Sequence, residues 1–412
     1  MRLAKIFYAC TCALGLFPLL KLNHFSLLMI IWFVLAMANA WKNNTFTFLK
    51  LHTFTFLILS FFCIMYLLYI PFTTDFKELS KSIIKSLPFL IFPLGFLVNK
   101  QLITKKFIQT FGLLYTLSVF ILNGLGWNQL FNFGWNKAWK QNDFYHPIFR
   151  NMFHEATTLH LPYLGLLTIF AALWLTHKIV DAKKISVLNL FGVSFLLFSA
   201  YIYSARMALV CYLIGLLFIL FKSIKKTRVK WSVLMILPLV AWALLWFSPI
   251  KERYIKVVEK EWILPNHKQK PHEVNYRYGI WHCATHLIAN NWLLGVGADK
   301  VQEQLNKCYD GFSYKSYEDF KKVTYNTHNQ YLDQLLKFGI LGLILFVWML
   351  LYFFPNSSVL YQTFLLIVAI SFLTENILDR QIGVVFISLL NTIFVIYKIN
   401  TLEKSISSRL VR

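Results

Sequence analysis

The chain has 412 residues, of which 58% are hydrophobic and only 14% are charged, with a net charge of +23. Its apolar residues are gathered in runs of roughly 17 to 22, about the length at which a helix spans the hydrocarbon core of a bilayer. Backbone groups inside hydrocarbon must be satisfied within their own segment, so such runs exclude a soluble fold and a β-barrel. We therefore predict an all-α integral membrane protein in which residues 1–412 form one polytopic domain.

The hydropathy pattern predicts about twelve transmembrane helices. The first run follows a short basic start at Arg2 and Lys5, as in a signal peptide, but no small-residue cleavage site follows it, so it is assigned as the first helix. The predicted spans are 6–20, 24–40, 52–70, 82–99, 107–126, 157–176, 185–203, 206–221, 231–248, 333–353, 357–373 and 381–397.

The distribution of lysine and arginine predicts the orientation of the chain. With the N-terminus inside, the inner connections carry nineteen of these residues and the short outer connections carry six. By the positive-inside rule, both termini are then cytoplasmic. This bias largely explains the net positive charge, so we do not interpret the charge as a sign of nucleic-acid binding.

Two long connections fall on the outer side, at 127–156 and 249–332, and the second lies between the ninth and tenth predicted helices. Cys283 and Cys308 both lie in the second connection, where an oxidising compartment permits a disulfide. Their spacing alone leaves open whether they pair.

Charged residues near the spans favour anion binding over ion-coupled transport. No acidic residue lies near the centre of a predicted span, where proton- or sodium-driven transporters usually keep one. Snorkelling or solvation would explain any single outer arginine, but five of the nine arginines lie outside, which predicts a cationic pocket suited to phosphate oxygens. Arg206 opens the eighth predicted helix, where the helix dipole also favours an anion. The five outer arginines are Arg150, Arg206, Arg253, Arg277 and Arg380.

The stretch "NTHNQYL" at 326–332 predicts a capped helix entrance. Thr327 followed by Gln330 fits the spacing of a capping box, which would make His328 the first residue of the tenth span, on the outer surface. An imidazole at a helix N-terminus is biased toward its neutral form, which can accept a proton. Interfacial anchoring beside Tyr331 is the alternative that these residues leave open.

Several catalytic motifs are missing from the chain. It contains no Gly-rich phosphate loop, no H-E-x-x-H zinc helix and no G-x-S-x-G elbow, and its first outer loops lack paired acids for a divalent metal. His282 and His286 have i, i+4 spacing with Cys283 nearby, but no third zinc ligand follows at a suitable distance. We therefore predict no metal and no cofactor, and we place the two histidines on an amphipathic helix at the membrane.

Four segments resemble the O-antigen ligase and O-antigen polymerase superfamily of bacterial membrane glycosyltransferases. "YSARMAL" resembles its arginine stretch at the outer start of a helix, although many members have Ser-Arg without the intervening alanine. "NYRYGIWHCATHLIANNWLLGVGADKVQEQL" is similar to its Arg, Trp and Gly-x-Gly run, and "NTHNQYLDQLLKFGILGLILF" to the His-Asn-x-Tyr-Leu signature of its core domain. "LTENILDRQIGVVFISLL" resembles its closing helices, and "YHPIF" at 145–149 a weaker His-Pro element. The ligase- or polymerase-like core would cover about residues 200–395.

The resemblance implies a GT-C-like fold in the inner (cytoplasmic) membrane of a bacterium, with the large loop in the periplasm. It also implies an inverting, metal-independent transfer of a glycan from undecaprenyl pyrophosphate to lipid A-core. Arg206 and Arg277 would bind the pyrophosphate and offset the charge of the leaving group, and His328 would orient or deprotonate the acceptor hydroxyl. Second-tier candidates without an assigned role are Tyr145, His146, Arg253, Asn329, Tyr331 and Arg380.

These motifs do not distinguish the members of the superfamily. An O-antigen or exopolysaccharide polymerase would use a growing glycan as acceptor, and a protein O-oligosaccharyltransferase would use a protein. A polysaccharide flippase or export component is the alternative from another class, and it would tolerate substitution at position 328. The expected partners are an undecaprenyl-pyrophosphate-linked glycan donor, lipid A-core or another glycan as acceptor, and membrane lipid.

Overall fold

The computed structural model describes residues 2–142, 147–182, 186–225, 231–232, 235, 262, 264–265, 275–312 and 323–410. Within these ranges every regular element is a helix, which confirms the predicted all-α fold. Tyr145, His146 and Arg253, and most of the predicted span 231–248, lie outside the described residues.

The helices within the described ranges are numbered in chain order. They are α1 (Arg2–Ala13), α2 (Leu22–Lys42), α3 (Thr47–Leu51), α4 (Thr53–Leu68), α5 (Phe76–Ser86), α6 (Pro88–Leu97), α7 (Lys105–Phe133), α8 (Trp135–Gln141), α9 (Ile148–Thr157), α10 (Leu161–Ala182), α11 (Val187–Ile202), α12 (Arg206–Ser223), α13 (Tyr276–Asn291), α14 (Val301–Tyr309), α15 (Gln330–Tyr352), α16 (Val359–Ser371) and α17 (Gln381–Leu410). A short 3₁₀ turn at Ile377–Asp379 precedes α17.

Eight helical segments in the described part of the chain are long and apolar enough to cross a membrane, which supports a multi-pass membrane protein. Within the described residues, the predicted count of about twelve is not reached. Three predicted spans correspond to shorter apolar helices, and α11 and α16, with 16 and 13 residues, fall below the ~20 residues of a typical crossing. The eight segments are Leu22–Lys42, Thr53–Phe72, Phe76–Leu97, Lys105–Phe133, Leu161–Ala182, Arg206–Ser223, Gln330–Tyr352 and Gln381–Ser407.

Helices α10 and α17 form the centre of the bundle. In their most apolar stretches 72% and 83% of the residues are buried, against 22% in α12. The rings of Phe170, Phe364 and Phe386, from α10, α16 and α17, lie with centroids 5.2 to 5.7 Å apart. Aromatic pairs at such distances pack favourably beyond their buried area. This core fixes the relative positions of three helices whose ends border the site described below.

Helix α15 is interrupted at Gly339, where φ is +66°. The break removes helical hydrogen bonds, and the loop after α13 replaces one of them, because the Ile340 N–H donates to the Trp292 carbonyl at 2.9 Å. A Cβ at Gly339 would lie only 2.0 Å from the carbonyl oxygen of Leu293, so the close approach needs glycine. The Gly-x-Gly and Gly-Ile-Leu-Gly segments therefore form one docking contact between this loop and α15.

A disulfide joins α13 to α14 through Cys283 and Cys308, the pair that the sequence left open. Around it Ile280, Leu305 and Leu336 form a second small core, and Leu336 belongs to α15. The two short helices are therefore packed as a unit on the first half of α15.

The loop between α13 and α14 is also held by a carboxylate. Asp299 Oδ2 accepts hydrogen bonds from the Thr73 hydroxyl at 2.7 Å and from the backbone N–H groups of Thr74 and Asp75 at 2.8 and 3.0 Å. Desolvation raises the pKa of Asp299, but these hydrogen bonds outweigh it and lower the pKa to about 2. Asp299 thereby ties this loop to the connection that precedes α5.

Candidate active site

A cavity of about 350 Å³ lies where α10 and α12 begin and α16 ends. Its charged lining consists of three guanidinium groups, from Arg150, Arg206 and Arg277, and one carboxylate, from Glu375. The rest of the lining is largely apolar, with Leu166 among its residues. A surplus of positive charge beside an apolar wall suits a phosphate attached to a lipid chain.

Arg206 is the first residue of α12, in agreement with its predicted place at the head of a helix. The turn before it is strained, because Ser204 has φ +54°, a left-handed conformation that costs a non-glycine residue about 1–2 kcal/mol. Arg150 stabilises this turn: its Nη1 donates to the carbonyls of Tyr203 and Ser204 at 3.1 and 3.3 Å. The additional alanine of "SAR" is Ala205, which precedes the helix as its N-cap residue.

Glu375 connects the arginine predicted to bind phosphate with the histidine predicted to be catalytic. Its Oε1 accepts a hydrogen bond from Arg277 Nη2 at 3.0 Å, and its Oε2 lies 3.1 Å from His328 Nδ1. The side chains of Arg277, His328 and Glu375 are 41%, 23% and 15% exposed. The structure thus brings these two predicted residues together around a carboxylate that also lines the cavity containing Arg206.

The contact with Glu375 determines how the imidazole can act. A carboxylate only accepts hydrogen bonds, so Nδ1 of His328 is the donor. In the neutral ring, Nε2 then carries the lone pair and can accept a proton from a hydroxyl group. The arrangement of base and orienting carboxylate is the one used in acid–base catalysis on many unrelated folds.

The predicted capping box is wrong. Asn329, not Thr327, caps α15: its side-chain oxygen accepts from the N–H groups of Tyr331 and Leu332, and the helix begins at Gln330. His328 is therefore not a helical residue. Its φ is +45°, so it lies in a strained left-handed turn before the cap. Asparagine offers an amide oxygen at N-cap, and this local hydrogen bonding outcompetes the threonine hydroxyl two residues earlier.

A hydrogen-bond network fixes the turn that carries His328. The His328 N–H donates to Asn326 Oδ1 at 3.1 Å, and the Asn326 amide donates to Asp379 Oδ2 at 2.8 Å. On the other side of the turn, Asn376 accepts from the Asn329 N–H at 2.7 Å and donates to Asp379 Oδ2 at 3.2 Å. Asp379 therefore holds both sides of the turn.

Asp379 in turn approaches a buried ammonium group of α15. Lys337 Nζ lies 2.7 Å from Asp333 Oδ2 and 3.5 Å from Asp379 Oδ1. The Tyr66 hydroxyl is a further neighbour of this ammonium, at 3.4 Å. Asp333 is buried and lies in the first turn of α15.

The remaining second-tier candidates contact the protein itself. Asn329 caps α15, and the Tyr331 hydroxyl donates to the Ala369 carbonyl at 2.9 Å. Arg380, directly before α17, interacts electrostatically with the Tyr163 hydroxyl. Roles for these residues at a substrate stay predictions. Among the described residues, no group of three or more His, Cys, Asp and Glu side chains is placed to hold a metal ion.

Sequence reasoning missed Glu375, Asn376 and Asp379 as parts of the site. The signal was present in "TENILDRQ", a short connection between two apolar helices in which polar residues recur. Two of these polar residues, Glu375 and Asp379, are acids. Their partners, Asn326 and His328, lie about fifty residues earlier in the chain, so spacing could not reveal the contact.

The segment that carries most of these features matches a known family. Residues 191–347 match the family model described as O-Antigen ligase. This match confirms the resemblance seen in the motifs; it covers Arg206, Arg277 and His328 and ends before Glu375. With the apolar helices, it supports a membrane protein of O-antigen ligase or polymerase type. No curated protein matches the chain significantly.

Proposed function

We propose that the protein is an O-antigen ligase-like glycosyltransferase that transfers a glycan from undecaprenyl pyrophosphate to lipid A-core. The observation that carries the proposal is the contact of Glu375 with both Arg277 and His328 beside an arginine-lined cavity. It joins a site for a lipid-linked anion to a group that can accept a proton.

The donor pyrophosphate would bind to Arg206 and Arg277, with its lipid chain along the apolar part of the cavity. Guanidinium groups bind phosphate oxygens through paired hydrogen bonds and keep their charge at every relevant pH. They would stabilise the negative charge that develops on the leaving pyrophosphate. Because these two cations supply that stabilisation, the proposed transfer is metal-independent.

The acceptor hydroxyl would be activated by His328. Nε2 takes the proton of the hydroxyl group as its oxygen attacks the anomeric carbon of the donor sugar. The bond between that carbon and the pyrophosphate oxygen breaks, and the pyrophosphate departs with the electron pair. A single displacement of this kind inverts the anomeric configuration. Glu375 accepts the Nδ1–H bond throughout and stabilises the imidazolium that forms.

The reaction is proposed to take place on the periplasmic side of a bacterial inner membrane. This placement follows from the excess of lysine and arginine in the opposite connections, which puts both termini in the cytoplasm. Residues 127–156 and 249–332 would then be periplasmic, and a GT-C-like arrangement of about twelve helices with a core at about 200–395 would surround the site.

The decisive experiment is a transfer assay with purified protein, an undecaprenyl-pyrophosphate-linked glycan and lipid A-core in detergent. A glycosylated lipid A-core product is expected. If the donor is unchanged after long incubation while the same protein moves it between leaflets of a vesicle, the protein is a flippase or export component and the proposal fails.

A polymerase is the second candidate, because the family match also fits a membrane protein of polymerase type. Deletion of the encoding gene followed by a lipopolysaccharide gel separates them. A ligase deletion removes the whole ladder while carrier-linked polymer accumulates, whereas a polymerase deletion leaves core with a single repeat. A protein O-oligosaccharyltransferase deletion would leave the gel unchanged and remove glycan from glycoproteins.

A further inference from the structure

A second cavity lies at the opposite end of the bundle from the candidate active site. It has a volume of about 570 Å³ and is lined by residues of α7, α10, α11, α16 and α17. Leu161 of α10 lines the first cavity and Lys178 of the same helix lines the second. At 1.5 Å per residue the two are separated by roughly 25 Å, which is close to the thickness of the hydrocarbon core.

The lining of this cavity changes from charged to apolar with depth. Lys105 is the first residue of α7, and Ile108 lies one turn further into the helix. Lys178 lies near the end of α10, and Trp174 lies one turn further in. Phe394 lines the inner part from α17. Because α7 and α10 are candidate membrane spans, the ammonium groups at their ends would lie at the level of lipid headgroups and the rings at the level of acyl chains.

The two lysines are available to an external anion. None of the ion pairs within the described ranges uses Lys105 or Lys178. The carboxylate in the lining, Asp181, interacts with the neighbouring His177. Two ammonium groups from different helices therefore border one cavity, and no carboxylate within the described ranges is bound to either.

We propose that this cavity binds an anionic glycerophospholipid, with its phosphate on Lys105 and Lys178 and the start of an acyl chain beside Trp174 and Phe394. Basic pockets between transmembrane helices are a common binding site for acidic headgroups. A free phosphate ion shares the charged part of this chemistry but has nothing to place against the rings. The proposal does not rest on the proposed function, because it concerns the other end of the bundle.

The test uses the full-length protein, purified and delipidated in a neutral detergent. It is titrated with short-chain phosphatidylglycerol, with phosphatidylcholine of the same chain length, and with inorganic phosphate, and binding is followed by native mass spectrometry and by the melting temperature. Phosphatidylglycerol should bind and raise the melting temperature, and the other two should not. Each lysine near a membrane surface contributes ~1 kcal/mol to anionic lipid binding, so Lys105→Ala with Lys178→Ala should weaken binding about thirtyfold.

Matched variants separate the site from general charge and from folding. Lys42→Ala with Lys222→Ala removes two lysines near the ends of other spans and should bind like wild type. Lys105→Arg with Lys178→Arg should also retain binding, and Lys105→Gln with Lys178→Gln replaces the alanine variant if that variant does not fold. The proposal is overturned if the variant in which alanine or glutamine replaces Lys105 and Lys178 binds phosphatidylglycerol as tightly as wild type. It is also overturned if phosphatidylcholine binds as tightly as phosphatidylglycerol. An equal rise in melting temperature with inorganic phosphate would likewise overturn it and would indicate a site for a free anion.

Discussion

Two clusters of charged residues lie on either side of the turn that carries His328, and they differ in access. The open cluster consists of Arg277, Glu375 and His328, with side chains 41%, 15% and 23% exposed. The closed cluster consists of the buried pair Lys337 and Asp333, with side chains 10% and 4% exposed, and of Asp379 at its border, which is 24% exposed. In each cluster, a residue at or near the start of α15 contacts an acid in the connection between α16 and α17.

Because the two clusters differ in exposure, we expect one to contact a substrate and the other to position the first. Arg277 and Glu375 of the open cluster line a cavity, so a ligand can bind beside the His328–Glu375 contact. In the closed cluster Lys337 is paired with Asp333 inside the protein, and a buried pair of this kind contributes little net stability while its disruption is costly. Through Asn326 and Asn376, its Asp379 holds the backbone of the open cluster. One cluster would thus react while the other keeps it in position.

The largest effect is expected from His328→Ala in the open cluster. Loss of a general base typically lowers the rate 10²- to 10⁴-fold, and glycan transfer in the purified assay should fall by about that factor. His328→Asn should be equally inactive, and because asparagine tolerates the left-handed backbone, it separates chemistry from strain. His286→Ala, an exposed histidine of α13, is the control. Transfer at the wild-type rate in His328→Asn would rule out the catalytic role.

The closed cluster is broken by Lys337→Met, which leaves the buried carboxylate of Asp333 and the half-buried one of Asp379 without their cation. Removing one partner of a buried ion pair costs about 3–5 kcal/mol, so the free energy of unfolding in detergent should fall by that amount. Lys307→Met breaks the exposed pair with Glu303, which should cost at most about 1 kcal/mol. Equal stability of the two variants would show that the closed cluster has no positioning function.

A smaller effect is expected from Glu375→Gln, which keeps the size of the side chain and removes its charge. A hydrogen bond to a charged group is worth ~1.5–3 kcal/mol, so kcat should fall roughly ten- to hundredfold. The KM for the donor should not rise, because Arg277 loses a competitor for phosphate. Arg277→Gln should instead act mainly on binding: the KM for the donor should rise more than kcat falls. A rise in KM with unchanged kcat in Glu375→Gln would contradict the orienting role.

The all-α fold class and the start of α12 at Arg206 are predicted correctly from the sequence. Both depend on local features, namely long apolar runs and a charged residue at the beginning of one of them. The helix entrance at 327–330 is predicted incorrectly, since two side chains competed for the same cap and the backbone of His328 depends on Asn326 and Asn376. The contact with Glu375 is set by the packing of α15 and α16 and has no local pattern. Contacts between distant segments of a chain are beyond spacing arguments of this kind.

Asp299, unlike the carboxylates of the two clusters, is held by neutral donors, and its substitution should have the smallest effect of those proposed. Its pKa of about 2 in the folded protein lies below the ~3.9 of an unfolded aspartate. Its stabilisation is therefore complete above about pH 4 and is lost as the pH falls toward 2. Asp299→Asn should lower the free energy of unfolding by ~1–3 kcal/mol at pH 6, whereas Asp310→Asn, at an exposed position, should not.

The pH dependence distinguishes this carboxylate from the ion pairs. Between pH 5 and 2.5 the wild-type protein should lose stability relative to Asp299→Asn, because the unfolded carboxylate takes up a proton while the folded one, with its pKa of about 2, stays largely ionised. The two unfolding curves should therefore converge as the pH falls. Lys337→Met should lower the free energy of unfolding by the same amount in the wild-type protein and in Asp299→Asn. The two effects are independent because the loop between α13 and α14 and the closed cluster are held by different groups. A constant difference between wild type and Asp299→Asn across this range would mean that Asp299 holds the loop by its shape and not by its charge.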